Sequence, residues 1–335
     1  QAGSAASLRD SVAVPLRPVL VKGRGNYVSI RRLAQASKRQ DRLFADAAAR
    51  RTLHVIEDWA TDTLDGSLSS LPAGGLERPG VWDKVQSDSG NCMGRRCPNY
   101  QACFYQRARR EMEGANLLVT NHALFFSDLA LRGKEVGFLP AYQHVVLDEA
   151  HNVEDVAADH FGVSLSEGRV MHLLSTLYHA KSGKGYLPQL QVVVGDAGEV
   201  DRAVRLVLGA ENAARAFFDD LLQIQRSGTA RNGRVREAGV VENGLTPAMR
   251  ELSLRLKGLR EGLKGEGVEP DRYELNAYAQ RAEMIALEAE ILVDQKAGDG
   301  KGYAYWIEVR GDEDELGRRG FGAKVTFACS PIEVA

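Results

Sequence analysis

Residues 142–157 read YQHVVLDEAHNVEDVA. Four residues of buried-strand type, His144-Val145-Val146-Leu147, run directly into Asp148-Glu149-Ala150-His151. A carboxylate at the C-terminal end of a parallel strand lies where ligands bind in open α/β sheets. One such carboxylate can hold magnesium, which prefers a few hard oxygens and keeps much of its water. Its neighbour can orient or deprotonate the water that attacks a γ-phosphate. Acids also favour the N-terminus of a following helix, so the pair alone leaves a structural role open. A nucleotide-driven motor further needs a phosphate loop ending in Gly-Lys-Ser/Thr. None occurs: Gly133-Lys134 is followed by Glu135, Gly183-Lys184 by Gly185, and Gly300-Lys301 by Gly302.

Working outward, Leu117-Leu118-Val119 reads as a strand, Ala123–Leu131 as a helix, and His144–Leu147 as the next strand. That spacing implies a parallel α/β sheet. Upstream, a helix and a short apolar stretch (Val19–Val21) lead through Lys22-Gly23-Arg24-Gly25-Asn26-Tyr27 into a basic helix spanning about 29–65. Residues 66–91 are rich in Gly, Ser and Pro and read as loop. Downstream the pattern changes. Val200, Ala203, Val207, Ala210, Ala214, Phe217, Leu221 and Ile224 recur in steps of three and four. Met249 to Leu263 and Tyr278 to Leu292 repeat this, the former behind Thr246 as N-cap and Pro247 as first helical residue. These are three long helices packed side by side, and the polar link 228–243 is a surface loop. Two strands follow, Tyr303–Val309 and Lys324–Cys329, expected to rejoin the sheet left at Leu147.

The 335 residues suffice for two or three domains, and 44% hydrophobic with 26% charged is ordinary for a globular protein. No apolar run nears the roughly 20 residues of a membrane span and no signal peptide is evident, so the expectation is a cytoplasmic protein. The net charge of −2 hides an uneven distribution. Residues 22–51 hold nine Lys/Arg against two acids, and residues 94–110 hold five Arg and no acid. Two basic segments suit a polyanion partner, or simply two solvated helix faces.

Of four cysteines, Cys92, Cys97 and Cys103 fall within twelve residues while Cys329 stands apart. Their spacing is wider than a zinc knuckle and suits a larger iron–sulfur group, although both normally take four ligands. Cluster, zinc and no metal all remain open. Arginines and aromatics alternate among them (Arg95, Arg96, Tyr100, Phe104, Tyr105, Arg107), the composition of a single-strand nucleic-acid surface.

Together, VKGRGNYVSIRRL, NCMGRRCPNYQACFYQRAR, LLVTNHALFFSDLA and VVLDEAHNVEDVA resemble the DinG branch of the DinG/XPD superfamily 2 DNA helicases, over essentially the whole chain. The resemblance implies an incomplete P-loop NTPase (RecA-like) α/β motor domain, carrying a cysteine-containing metal lobe and an all-helical arch insertion. Motor elements would occupy 1–28 and 113–165, the iron–sulfur-type lobe 29–112, the arch 166–300 and the return strands 301–335. The phosphate loop and second motor domain would lie outside this chain, an interior fragment unable to hydrolyse ATP alone. The full-length protein would couple ATP and Mg2+ to 5′–3′ unwinding of single-stranded and forked DNA, as a monomer. Asp148 would hold magnesium, Glu149 would activate water, and His151 would link the nucleotide site to neighbouring motor elements. Cys92, Cys97 and Cys103 would ligate a [4Fe–4S] cluster. The family's first cluster cysteine aligns here with Ser29, a departure that puts the cluster in question. Lys22, Arg24, Asn26, Tyr27, Arg95 and Arg96 would contact DNA, while Asn121 and His122 match a recurring Asn-His pair, with packing, hydrogen bonding and catalysis all open to it. The competing readings are a non-catalytic single-strand-binding module and part of a nuclease–helicase fusion.

Overall fold

A computed structural model describes residues 15–332, except 45, 133–135, 192–193, 195–196, 228–230, 266, 301 and 312–323. The opening helix, the charged turn between the return strands and the last three residues therefore lie outside the described residues. In chain order the first elements are β1 (Pro18–Leu20), α1 (Ile30–Lys38), α2 (Gln40–Leu43), α3 (Ala47–Asp62), α4 (Trp82–Val85), α5 (Phe104–Glu113), β2 (Leu117–Val119) and α6 (His122–Arg132). Then come α7 (Val153–Phe161), β3 (Val163–Ser166), α8 (Glu167–Leu177), α9 (Tyr186–Leu190), α10 (Ala197–Arg226) and β4 (Arg234–Val235). The chain closes with α11 (Leu245–Gly262), α12 (Glu269–Val293), β5 (Tyr303–Arg310) and β6 (Lys324–Pro331). No helix among the described residues is long and apolar enough to cross a membrane.

A parallel pair does form, but β2 takes as its neighbour β1, the short apolar stretch upstream, with Val19 opposite Leu118. The expected strand His144–Leu147 is absent. No strand forms there, and Val145, Val146 and Leu147 are exposed, Val146 by 94%. A strand needs a neighbour for its backbone groups and cover for its apolar side chains. Nothing among the described residues supplies either to this segment.

The return strands also depart from expectation. They pair antiparallel with each other and join β3 and β4 in a separate four-stranded sheet, ordered β3-β6-β5-β4. Their inward side chains, Tyr305, Ile307, Val325, Phe327 and Cys329, enter the same core as the long helices. Alternation gave the strands correctly, but the buried surface that recruits them is the arch. The link 228–243 contributes the edge strand β4 to this sheet, so it is only partly loop.

The three long helices follow their periodicity. Val200, Ala203, Val207, Ala210, Ala214, Phe217 and Leu221 are all buried on α10, as are Met249, Leu252, Leu256 and Leu259 on α11 and Tyr278, Ala282, Ile285, Ala289 and Leu292 on α12. Truncating a core aromatic such as Phe217 to alanine costs about 3–5 kcal/mol in such settings. Thr246 is not the N-cap. Helix α11 begins at Leu245, Asn243 Oδ1 accepts from Thr246 N (3.1 Å), and the buried Thr246 hydroxyl donates to Ala286 O of α12 (3.0 Å).

The basic helix expected over 29–65 divides into α1, α2 and α3. Backbone at Arg39 (φ −120°, ψ 14°) and Phe44 (φ −113°, ψ 129°) leaves the helical region, and Asp46 restarts the chain by accepting from Ala49 N (2.6 Å). The segment 66–91 contains the short α4, whose Trp82 and Val85 join Tyr27, Leu33, Leu53, Ile56 and Phe104 in a second hydrophobic core. Gly66 holds φ +61° against the Phe104 ring, a place where any side chain would collide.

This lobe is fastened to the arch by buried charges. Glu274 on α12 accepts from Arg32 Nε (3.0 Å) and Asn91 Nδ2 (2.9 Å), with Arg31 at 3.5 Å. One turn earlier, Asp271 takes both guanidinium nitrogens of Arg39 (2.6 and 2.7 Å) and the Tyr186 hydroxyl (3.1 Å). Arg281 pairs with Asp88, and Lys184 Nζ donates to the carbonyls of Asp41 (2.8 Å) and Phe44 (2.9 Å). Both acids stand near the start of α12, where the helix dipole favours them.

Candidate functional site

The approach to the acidic stretch is held firmly. Buried Asp128 on α6 accepts from the amides of Phe138 (2.7 Å) and Leu139 (2.9 Å) and pairs with Arg132 (2.5 Å). Arg132 in turn donates to the carbonyls of Leu139 and Pro140 and lies 4.7 Å over the Tyr142 ring. Beyond Tyr142 the chain is exposed. Asp148, Glu149 and His151 all face solvent, in a turn that enters α7. Glu149 adopts the left-handed conformation (φ 47°, ψ 49°), uncommon for a residue with a side chain. Such positions gather at functional sites, where surrounding structure or a ligand holds them. Asp148 Oδ1 accepts from Glu149 N (3.1 Å), and His151 Nδ1 lies 3.3 Å from Glu149 Oε2. The turn therefore presents two exposed carboxylates with a histidine against one of them.

Asn121 Oδ1 accepts from Leu124 N (2.9 Å) at the start of α6. Its neighbour His122 begins that helix.

The other expected site residues gather on the lobe but differ in what they offer. Lys22 Nζ donates to Ser67 Oγ (2.8 Å) and Ser69 Oγ (2.7 Å), with Asp65 at 3.8 Å. Arg24 lies 4.0 Å over the Tyr105 ring, hydrogen-bonds Cys92, and reaches the Asp88 carbonyl (3.4 Å). Asn26 closes a local turn by donating to Gly23 O (3.1 Å). Tyr27 is a core residue, 5% exposed and edge-on to Tyr105 at 5.8 Å. Arg95 and Arg96 are exposed in a tight turn (Gly94–Arg96). Lys22, Arg24 and Tyr27 border a groove of about 310 Å³ between β1, α5 and α6, with Tyr105, Arg109 and Phe138 on its other walls.

Cys92, Cys97 and Cys103 are half-buried, while Cys329 is buried in β6 under the arch. Burial works against the Cys92 thiolate, but the Arg24 guanidinium and the Gly94 amide (3.4 Å) outweigh it and hold the thiol below its ordinary range. The Cys329 thiol is instead pushed up by burial. Among the described residues no group of three His, Cys, Asp or Glu side chains is placed to hold a metal ion. Cys92, Cys97 and Cys103 supply three thiols, one of them eased toward thiolate, against the four ligands that zinc or an iron–sulfur cluster normally takes. Ser29, the position matched to the missing cysteine, is the N-cap of α1, its Oγ accepting from Arg32 N (3.4 Å).

The DEAD_2 family matches residues 91–170, from the cysteine segment through the acidic turn. The ATP-dependent DNA helicase YoaA of Escherichia coli K12 is 33% identical over 215 residues, covering 62% of this chain and 33% of that protein. YoaA of Haemophilus influenzae Rd is 27% identical over 323 residues, covering 94% of this chain and 44% of that protein. Over these stretches the chain is similar to the DinG-type DEAH helicases. A further relative, the ATP-dependent helicase DinG of Mycobacterium tuberculosis H37Rv, is 33% identical over 157 residues, 43% of this chain and 23% of that protein. The chain thus spans a third to under a half of the YoaA proteins it matches.

What sequence reading missed is the lobe–arch seam. Asp271, Glu274 and Lys84 carry no local signature, because their partners lie on other elements far away in sequence.

Proposed function

We propose that this chain is part of an ATP-dependent DNA helicase, supplying the acidic turn, the cysteine lobe and the arch of the first motor domain. The observation that carries this reading is the exposed Asp148–Glu149–His151 turn inside the segment matched by the DEAD_2 family. Asp148 would hold the magnesium of bound ATP, and that ion would neutralise charge developing on the phosphate oxygens. Glu149 would orient the attacking water and accept its proton. His151, 3.3 Å from the Glu149 carboxylate, would hold that side chain and relay its position to neighbouring motor elements. Motor residues would comprise 1–28 and 113–165, the lobe 29–112, and the arch with its sheet the remainder.

Single-stranded or forked DNA would lie across the lobe. Arg95 and Arg96 would engage phosphates, Lys22, Arg24 and Tyr27 would meet the strand from the groove they border, and Asn26 would contact it from the adjoining turn. We further read the polarity as 5′–3′ and the working unit as a monomer. Cys92, Cys97 and Cys103 would hold an iron–sulfur cluster, with Ser29 at the fourth position. Iron and acid-labile sulfide measured on anaerobically purified protein test this, and zinc alone would overturn it.

The deciding experiment compares full-length protein with its Glu149→Gln variant in a DNA-stimulated ATPase assay. The expected loss is about a hundredfold or more, the scale of removing a positioned base, with single-strand binding retained. An unchanged rate would refute the assignment of Glu149. Wild-type protein that binds single strands yet shows no DNA-stimulated hydrolysis would favour a binding module instead.

A further inference from the structure

Between the lobe and the arch runs a cleft of about 560 Å³, walled by α4 on one side and by α8 and α12 on the other. Its ionic side chains are nearly all matched in pairs. Arg281 pairs with Asp88, Arg169 with Glu288, and His172 Nε2 lies 3.3 Å from Asp83 Oδ2. Lys84 is the exception. Its Nζ donates to the Thr176 hydroxyl at 2.7 Å, and no described carboxylate pairs with it. The adjacent Asp83 is turned toward His172, and Glu274 is taken by Arg31, Arg32 and Asn91.

We propose that Lys84 is an acylation site, its amine placed in the lobe–arch cleft to take the acyl group of an acyl phosphate. Three features of the cleft support this. The amine lines open space, so a small reagent can reach it and an added acyl group has room. Its hydrogen-bond partner is neutral, so losing the charge breaks no ion pair and leaves one N–H for Thr176. Its surroundings disfavour the ammonium: burial comes first, then Arg32 of α1, partly offset by Asp83, with a smaller contribution from Arg281 of α12 and the least help from Glu274. Together these push the amine down to about 7, so an appreciable fraction is free base at neutral pH. An ordinary lysine near 10.4 is about one part in 2,500 free base at pH 7. A weaker base is also a weaker nucleophile, which cancels part of that gain, and an advantage of about tenfold or more remains.

The step balances without a redox partner. The nitrogen lone pair attacks the acyl carbon, the C–N bond forms, and the acyl C–O bond to phosphate breaks. Phosphate leaves with that bonding pair, and the surplus proton on nitrogen passes to it.

Full-length protein is exposed to acetyl phosphate between pH 6.5 and 9, and acetylation at each lysine is followed by peptide mass spectrometry. Lys84 should be modified about tenfold or more faster at pH 7 than a surface lysine such as Lys257, and its rate should level off above about pH 8 while surface rates keep rising. Arg281→Gln should slow Lys84 several-fold at pH 7 and leave Lys257 unchanged. A Lys84 rate at or below that of Lys257 at pH 7, or a parallel climb of both to pH 9, overturns the proposal.

Discussion

The lobe–arch seam and the acidic turn use the same side chains in opposite ways. At the seam, Asp271 and Glu274 are buried and surrounded by three arginines, an asparagine and a tyrosine. At the turn, Asp148 and Glu149 are exposed, and one of them sits on left-handed backbone. Burying a carboxylate is costly unless every lone pair is met, so the seam is internally complete. The turn spends nothing on burial and keeps its oxygens available. Charge that finishes a structure and charge that awaits a ligand are thus separable by burial and partners, even when the residue types agree.

The strongest way to break this comparison is to remove one seam acid. Glu274→Ala leaves Arg31 and Arg32 buried without their carboxylate and should cost about 3–5 kcal/mol in urea unfolding. A cost below about 1 kcal/mol would mean that the seam is no more closed than the turn.

Lys84 gives a sharper test through pH. Its amine falls from 10.5 in the unfolded chain to about 7 in the fold. Below pH 7 both states hold the proton and the penalty of burying the ammonium is constant. Between about 7 and 10.5 the unfolded chain holds more protons, so stability rises with pH, by up to about 1.4 kcal/mol per unit. Above that range both are neutral and the gain is complete. Lys84→Met should flatten this rise when the two proteins are compared in denaturant midpoints across pH 6–10. Parallel curves would show that the fold does not disfavour the Lys84 ammonium.

The smallest effect belongs to the turn. Glu149→Gln should move stability by no more than about 0.5 kcal/mol, although the same change should abolish hydrolysis. A large stability loss there would show that Glu149 is structural, and the contrast between the two regions would collapse.

The legible parts of the molecule are those whose signal is local. The steps of three and four from Val200 to Ile224 reappear as one buried face of α10, and the alternation in Tyr303–Val309 reappears in β5. Partner choice was not legible. Alternation tells a strand which face is apolar, not which sheet will cover it, and so β5 and β6 joined β3 and β4 instead of the β1–β2 pair. The residues of the acidic turn were readable as chemistry, but His144–Leu147 forms a strand only with flanking strands to pair with. Ser29 read as an altered metal position, and the structure adds a helix cap that the Ser-Ile-Arg-Arg sequence also permits. The seam left no trace at all, since Arg32 and Glu274 are 242 residues apart and each alone looks like a solvated charge.

That separation bears on how the molecule is made. Arg39 leaves the ribosome 232 residues ahead of Asp271, and at about 5–20 residues per second the wait is about 10–50 s. Contacts this distant in sequence are slow to close in any case. During that interval Arg39 has no Asp271 to meet, so the lobe is born unfinished and is completed by residues made 232 positions later.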